Sequence, residues 1–435
     1  MRIEVLAGRL AAMCLDNAIV LMPISSSTKL VAVLTGIAVP CLIFGKVVMA
    51  LPLVLAVLLL LSHPERGQYW RSLVDQIRTP IGMMVIVTLV LWLPSMVISP
   101  FPLRSMDAWI RVPLFIGFIV FITAMLSERQ KALTFALQAL IFSSAVATLF
   151  TLSSLTFLPE ALSFVRLSGW SPLPYDGFRP PSILKPYASL AVLMIPVLVW
   201  GGWSVGGRWW GLAAVVVVGL LACVALTYNR SAMAGLMAIM VIGVGVVMVK
   251  LRNATVTSGL FAVVAIAILA MVLWLQSNRT IHVPPEGVTT VLPYWLLDYQ
   301  RQMIWSLAID IGMRSPWFGN GINVVNLLPG ADLKLPAGDL NVIPAHPHNW
   351  LVEVFAETGA VGAFALLISV FMFCLKLASD FLKSGDTAFL AALLVNVGYW
   401  GTGLLNTSFW SAWWQISYLL MTAFCLAGRS RINQD

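Results

Sequence analysis

The chain has 435 residues, of which 60% are hydrophobic and 10% are charged. Soluble globular proteins carry roughly 25% charged residues, so this composition excludes an ordinary soluble domain. The formal net charge is +8, but the basic residues are scattered between apolar blocks and form neither a tail nor a groove motif, which argues against a nucleic-acid partner. Membrane lipids, or an anionic substrate held inside the fold, are the expected partners.

Apolar blocks of about 17–25 residues recur along the chain, and this is the length that crosses a bilayer. Twelve such blocks are separated by Lys, Arg, Pro and Gly, so we predict an all-α polytopic membrane protein that forms one integral membrane domain over 1–435. Residues 1–27 are expected at the membrane interface. The predicted spans are 28–45, 46–62, 79–99, 109–126, 132–154, 184–202, 209–227, 231–249, 256–276, 350–376, 386–404 and 410–428.

The distribution of Lys and Arg between the spans predicts the orientation. Alternate connecting segments all carry Lys or Arg, and the positive-inside rule assigns these segments to the cytoplasm together with both termini. Two long loops, 155–184 and 277–349, then lie on the external side, where loops of this length are usually functional. Within the second loop, Leu296–Met313 is predicted to be an amphipathic helix with Arg301 on one face.

Several cations fall on the external side, against the positive-inside rule. About half are expected to be solvated or paired with Asp107, Asp176, Asp298 and Asp310, and the rest to bind an anion. Arg230 interrupts two spans in TYNRSAMAGL, where an arginine is costly unless it is paired or faces water. Its guanidinium suits a phosphate, although a snorkelling interfacial arginine is an alternative. The external cations are Arg104, Arg111, Arg166, Arg179, Lys185, Arg230, Arg279, Arg301, Arg314 and Lys334.

The segment NVIPAHPHNWLVEVFAETGAVGAF, residues 341–364, joins a proline-containing loop to an apolar run. The prolines predict an extended loop in which His346 and His348 point to opposite sides. Asn349 is a suitable N-cap for the helix that follows. The positive end of that helix disfavours an imidazolium, so His348 is expected to be neutral and able to act as a general base. A polar cap at the membrane interface is the alternative.

Other kinds of site find little support in the sequence. No third ligand has a fixed spacing to the two histidines, so no metal site is predicted. Glu353 and Glu357 lie on one helix face more than one turn beyond His348, which favours a packing role over acid catalysis. The five cysteines have no paired spacing, so disulfides and thiolate metal sites are not expected.

Three segments together resemble the O-antigen ligase and polymerase superfamily of bacterial inner-membrane glycosyltransferases. In TYNRSAMAGL, Arg230 takes the place of the family's arginine, with Asn229 where Ser is usual. The family's histidine pattern is filled by His348, Asn349, Gly359 and Gly362, and the block that precedes it is matched by Arg301, Trp305, Ala308, Pro316, Gly319 and Gly321. FRPPSILKPYASLAVLMIPVL matches the family's arginine-rich loop only loosely.

This resemblance implies a GT-C-like fold of about twelve transmembrane helices with a long helical periplasmic loop, in the bacterial inner membrane, with the active site facing the periplasm. It implies transfer of O-antigen from undecaprenyl pyrophosphate to a sugar hydroxyl of lipid A–core, by inverting displacement without metal or cofactor. The implied catalytic residues are His348 as general base, with Arg301 and Arg230. The implied substrate-binding residues are Arg179, Lys185, Arg166, Asn349 and His346.

Three alternatives stay open at this point. An O-antigen polymerase and a protein O-oligosaccharyltransferase would use the same lipid-linked donor with a different acceptor. A secondary transporter with twelve spans would belong to another class. Such transporters usually contain two related halves, and no internal repeat is visible in this chain.

Overall fold

The structure is a computed structural model, and it describes residues 25–164, 180–278, 282–286, 289–295, 297–334 and 341–429. These residues fold almost entirely into helices, and within these ranges the only β-pairing is an isolated bridge between Lys334 and Asn341. The predicted all-α class is therefore confirmed. Arg166, Arg179, Arg279 and residues 1–24 lie outside the described residues.

Fifteen α-helices occur in the described ranges, and short 3-10 turns stand at Pro40–Phe44, Pro159–Phe164 and Val325–Leu327. The helices are α1 (Ser26–Ala38), α2 (Lys46–Leu61), α3 (Arg66–Ile77), α4 (Pro80–Leu91), α5 (Leu93–Ile98), α6 (Pro102–Glu128), α7 (Gln130–Thr156), α8 (Pro180–Val205), α9 (Arg208–Leu226), α10 (Arg230–Leu251), α11 (Ala254–Ser277), α12 (Tyr299–Met313), α13 (Trp350–Ser384), α14 (Thr387–Gly403) and α15 (Ala412–Ala427).

Eight helical segments of the described chain are long and apolar enough to cross a membrane, and a ninth arises if α2 and α3, bent by 103°, count as one span. Each of the twelve predicted spans contains a helix, but α1, α14 and α15 have only 13, 17 and 16 residues. The polytopic membrane architecture is therefore supported. The count of twelve, the GT-C class and the side on which each loop lies stay predictions.

Contacts between the connecting segments place them in two groups, at two ends of the bundle. At one end, Arg129 pairs with Glu65 and donates to Thr28 Oγ1, which ties the α6–α7 turn to the start of α1. At the other end lie the starts of α8, α10 and α13, the loop that contains α12, and the turn between α14 and α15. This second end holds those predicted site residues that the structure describes, and it is called the loop end below.

The interior of the bundle explains why the loop end is fixed in place. Helix α8 is the most enclosed of the candidate spans, and its Leu184, Ala188 and Leu193 are fully buried. Helix α11, by contrast, has no buried residue in its span and lies at the periphery. The loop end is therefore built on one central helix, and a lipid-exposed helix stands on one side of it.

Helix α13 is interrupted at Gly359, which has φ +69° and ψ −177°. The break frees the N–H groups of Ala360 and Val361, which donate to the carbonyls of Pro316 and Trp317 at 2.7 and 3.2 Å. A Cβ on Gly359 would lie 2.3 Å from the Trp317 carbonyl carbon, so only glycine allows this approach. The turn that follows α12 is thus fastened to α13.

Candidate active site

The loop before α13 brings the two histidines together. The imidazole rings of His346 and His348 lie 4.4 Å apart between centroids. The extended loop predicted from the prolines is wrong at this point, because His348 has φ +57°, in the left-handed region, and this turns its side chain back beside His346. Asn349 accepts hydrogen bonds from the N–H groups of Leu351 and Val352, so its predicted N-cap role is confirmed.

Asn406 fixes both imidazoles from the turn between α14 and α15. His348 Nδ1 lies 3.2 Å from the Asn406 carbonyl oxygen and 3.0 Å from Asn406 Oδ1. His346 Nε2 contacts the same carbonyl. Because a carbonyl oxygen only accepts hydrogen bonds, and has two lone pairs to do so, Nδ1 of His348 must carry the proton. Nε2 of a neutral His348 is then the nitrogen that can accept one.

The surroundings keep both histidines neutral at pH 7. Burial is the main cause that lowers the pKa of His348 below 6.5, and the positive charge of Arg301 adds to it. The hydrogen bonds that His348 donates to Asn406 oppose this shift. Burial and the neighbouring His348 lower the pKa of His346 to about 4. The expectation of a neutral His348 agrees with these directions, although burial rather than a helix dipole is the leading cause.

Helix α12 carries Arg301 toward the histidines. Its apolar face, with Ile304, Ala308 and Ile311, packs into a small core that includes Ala356 of α13. This leaves Arg301 to donate to the Leu405 carbonyl, next to Asn406, and Trp305 Nε1 to donate to the Pro347 carbonyl at 3.0 Å. Arg301 and Trp305 are one turn apart on the same face. Helix α12 therefore contacts both the loop that carries His346 and His348 and the turn that carries Asn406.

The start of α10 contributes a second cation, Arg230, to this region. Asn229 caps this helix through the N–H of Ala232, and its Nδ2 donates to the Lys185 carbonyl at 2.8 Å and to Ser189 Oγ at 3.0 Å. The buried asparagine therefore fixes the first turn of α10 to α8. Arg230, the first residue of α10, then reaches Asp298 Oδ2 at 3.5 Å.

Three cations converge at this place. The like charges of Arg230 and Arg301 both act on Lys185, which shows that the three side chains share one neighbourhood. A cavity of about 220 Å³ opens beside them. Its polar lining residues are Arg230, Arg301, Asp298 and Gln276, and its apolar lining residues are Ala234, Met237, Val272, Leu275, Leu297 and Leu405. A lining that combines cations with apolar side chains suits an amphiphile with an anionic head group.

The two glutamates of α13 hold loops in place. Glu353 accepts from Ser408 Oγ at 2.6 Å and from the Phe409 N–H at 2.7 Å. Glu357 accepts from the N–H groups of Asn323 and Val325 at 2.6 and 2.9 Å. Both side chains are buried away from the cavity-lining residues, so their predicted supporting role agrees with the structure.

Other cations of the loop end serve the scaffold. Arg111 pairs with Asp107 at 3.2 Å and donates to the Trp410 carbonyl at 2.8 Å. Arg104 donates to the Asn323 carbonyl at 2.6 Å, and Arg314 to the Pro329 carbonyl at 2.9 Å. These contacts agree with the expectation that many of the cations at this end have structural partners.

The structure thus places His346, His348 and Lys185 near Arg301, which lines the cavity together with Arg230. Asn349 caps α13. Arg166 and Arg179 lie outside the described residues, so their roles stay predictions. Sequence reasoning missed Asn406, although the polar run NTS between the last two apolar blocks was a signal. It named Asp298 only as a partner for a cation. No group of three metal-ligating side chains occurs in the described ranges, and metal independence stays a prediction.

Comparison with known proteins agrees with the resemblance. Residues 215–367 match the family model described as O-antigen ligase, and this stretch contains Arg230, Arg301 and His348. A protein of Rickettsia conorii named "Putative polysaccharide ligase" is 24% identical over 117 residues, which cover 26% of this chain and 28% of the relative. The matched region is therefore a minor part of both proteins. Within residues 215–367, the resemblance to the O-antigen ligase family is confirmed.

Proposed function

We propose that this O-antigen ligase-family chain transfers O-antigen from undecaprenyl pyrophosphate to a sugar hydroxyl of lipid A–core, at the external face of the bacterial inner membrane. Both termini are then cytoplasmic, and the loop end faces the periplasm. The observation that carries the proposal is a neutral, oriented His348 near Arg301, which also acts on Lys185 and lines a largely apolar cavity with Arg230.

His348 is the proposed general base. Its Nδ1–H is directed to Asn406, so Nε2 accepts the proton of the acceptor hydroxyl as the oxygen attacks the anomeric carbon. General-base assistance of this kind contributes about 10²–10⁴-fold to a rate. The acceptor oxygen forms a bond to the anomeric carbon while the bond to the pyrophosphate oxygen breaks. A single displacement inverts the anomeric configuration.

Arg301 and Arg230 are the proposed ligands of the pyrophosphate, and Lys185 adds a third positive charge. Pyrophosphate leaves with the electron pair of the broken bond, so fixed cations stabilise the charge that develops on it. Preorganised contacts of this type are worth about 3–4 kcal/mol each. Because pyrophosphate is already a good leaving group, we propose that the reaction needs no metal ion or other cofactor.

The same donor would serve an O-antigen polymerase or a protein O-oligosaccharyltransferase, so the acceptor must be tested directly. Purified chain is incubated with lipid-linked O-polysaccharide and one of three acceptors: lipid A–core, a second lipid-linked glycan, or a serine-containing acceptor protein. The proposal predicts transfer to lipid A–core alone. Transfer only to the lipid-linked glycan or only to protein would replace the ligase assignment, and vectorial movement of donor without transfer would favour a transporter.

A further inference from the structure

Asp298 is an acid in a cavity otherwise suited to an anion. Among the described residues that line the cavity, it is the only carboxylate, and Arg230 and Arg301 line the same cavity. Its side chain is 9% exposed, and its Oδ2 lies 3.5 Å from Arg230 and 3.6 Å from His282 Nδ1. A buried negative charge at this place would repel the anionic head group that the cations attract.

The contacts of Asp298 are those of a loosely held charge. It occupies the N-cap position of α12, yet its side chain accepts no hydrogen bond from the first turn of that helix. Its Oδ1 is buried and has no hydrogen-bond partner among the described residues, although a carboxylate has several acceptor sites. The contacts of Oδ2 with Arg230 and His282 are longer than an ordinary charge-assisted hydrogen bond of about 2.7–2.9 Å. Asp298 therefore acts on the cavity mainly through its charge.

The charges of the site suit the glycan-bearing donor better than undecaprenyl pyrophosphate without its glycan, the spent carrier. Arg230, Arg301 and Lys185 supply three positive charges and Asp298 supplies one negative charge, which leaves a surplus of two. A pyrophosphate esterified at both ends carries about two negative charges. After transfer, the pyrophosphate is esterified at one end only, and its terminal phosphate takes a charge of about −1.5 to −2. The product therefore brings roughly one more negative charge into the same cavity.

Resting on the proposed function, we infer that Asp298 is a specificity-determining residue that separates the glycan-bearing donor from the spent pyrophosphate carrier. Its carboxylate repels the additional charge of the terminal phosphate, so the carrier leaves once the glycan has been transferred. At a separation of about 6 Å and an effective dielectric constant of about 40, one such like-charge contact changes an affinity about tenfold.

The test compares two lipids on the purified full-length chain in nanodiscs. One lipid is undecaprenyl pyrophosphate, and the other is the same lipid bearing the glycan. Dissociation constants for both are measured on the wild type, on Asp298→Asn and on Asp310→Asn, which removes an exposed acid from the same helix. We expect Asp298→Asn to reduce the preference for the glycan-bearing lipid about tenfold. Asp310→Asn and the charge-preserving Asp298→Glu are expected to keep it.

Kinetics give an independent readout. Asp298→Asn is expected to keep the single-turnover rate and to lose steady-state rate, because carrier release becomes slow. If Asp298→Asn bound both lipids more tightly by the same factor, the inference would be overturned, since the carboxylate would then only reduce the positive charge of Arg230. If Asp298→Asn bound both lipids more weakly by the same factor, the inference would also be overturned, since Asp298 would then serve to position Arg230. If the wild type bound neither lipid, the proposed function itself would fail, which is a distinct result.

Discussion

Replacement of Asn406 by alanine tests how His348 is oriented. The substitution removes the contact between His348 Nδ1 and Asn406 Oδ1 at 3.0 Å, but it keeps the contact to the backbone carbonyl at 3.2 Å. His348 should therefore keep its tautomer and lose only part of its restraint. Asn278→Ala is a matched control, because Asn278 is exposed and bonds within its own helix end.

The size of the effect follows from the bond that is lost. A side-chain hydrogen bond contributes about 1 kcal/mol, so the turnover number of Asn406→Ala should fall about fivefold. This is far less than the loss expected when the base itself is removed. The Michaelis constant for the donor should stay unchanged, because Arg230 and Arg301 are untouched.

The pH dependence gives the sign of the effect. The hydrogen bonds that His348 donates to Asn406 raise the pKa of His348. Losing one should lower that pKa further and move the acid limb of kcat/KM to lower pH. The assay is transfer of radiolabelled lipid-linked glycan to lipid A–core between pH 4.5 and about 8. An acid limb that moves to higher pH, or a rate as low as that of His348→Ala, would refute this account of Asn406.

Three further predictions concern the same scaffold. Gly359→Ala forces a side chain into a positive-φ backbone against Trp317, so it should lower the free energy of unfolding by about 3 kcal/mol in a thermal denaturation assay. Gly245→Ala, which meets nothing within 4 Å, should leave that energy unchanged or raise it slightly. Arg230→Lys keeps the charge but loses the planar guanidinium that can bind a phosphate with two N–H groups, so the Michaelis constant for the donor should rise about tenfold. The acid limb of the wild-type kcat/KM profile should fit the titration of a single group with a midpoint below pH 6.5, because His346, with a pKa of about 4, stays neutral in this range. A limb that requires two protons would contradict this.

The sequence was most informative where one physical rule dominates. Hydrophobic block length located helices at every predicted span, because the length of an apolar block depends on the bilayer. It could not give their true lengths, since α1, α14 and α15 are shortened by turns whose geometry depends on tertiary contacts. Motif spacing selected Arg230, Arg301 and His348. The structure places Arg230 and Arg301 in the lining of one cavity and His348 near Arg301.

Contacts between residues far apart in the chain could not be predicted from the sequence. The turn at Asn406 is 58 residues from His348, and no local pattern indicates that its carbonyl would hold two imidazoles. The proline rule predicted an extended loop, but a left-handed His348 is stabilised by its tertiary hydrogen bonds to Asn406. Asp298 shows the same limit, because its pairing with Arg230 joins α12 to α10 across the cavity.

The central claim is that His348 Nε2 takes the proton of a lipid A–core hydroxyl during transfer from undecaprenyl pyrophosphate. The most direct measurement is single-turnover transfer by purified His348→Ala, beside its donor dissociation constant. The account predicts wild-type donor affinity with transfer slowed by at least about 10²-fold. Transfer to lipid A–core at the wild-type rate would contradict it.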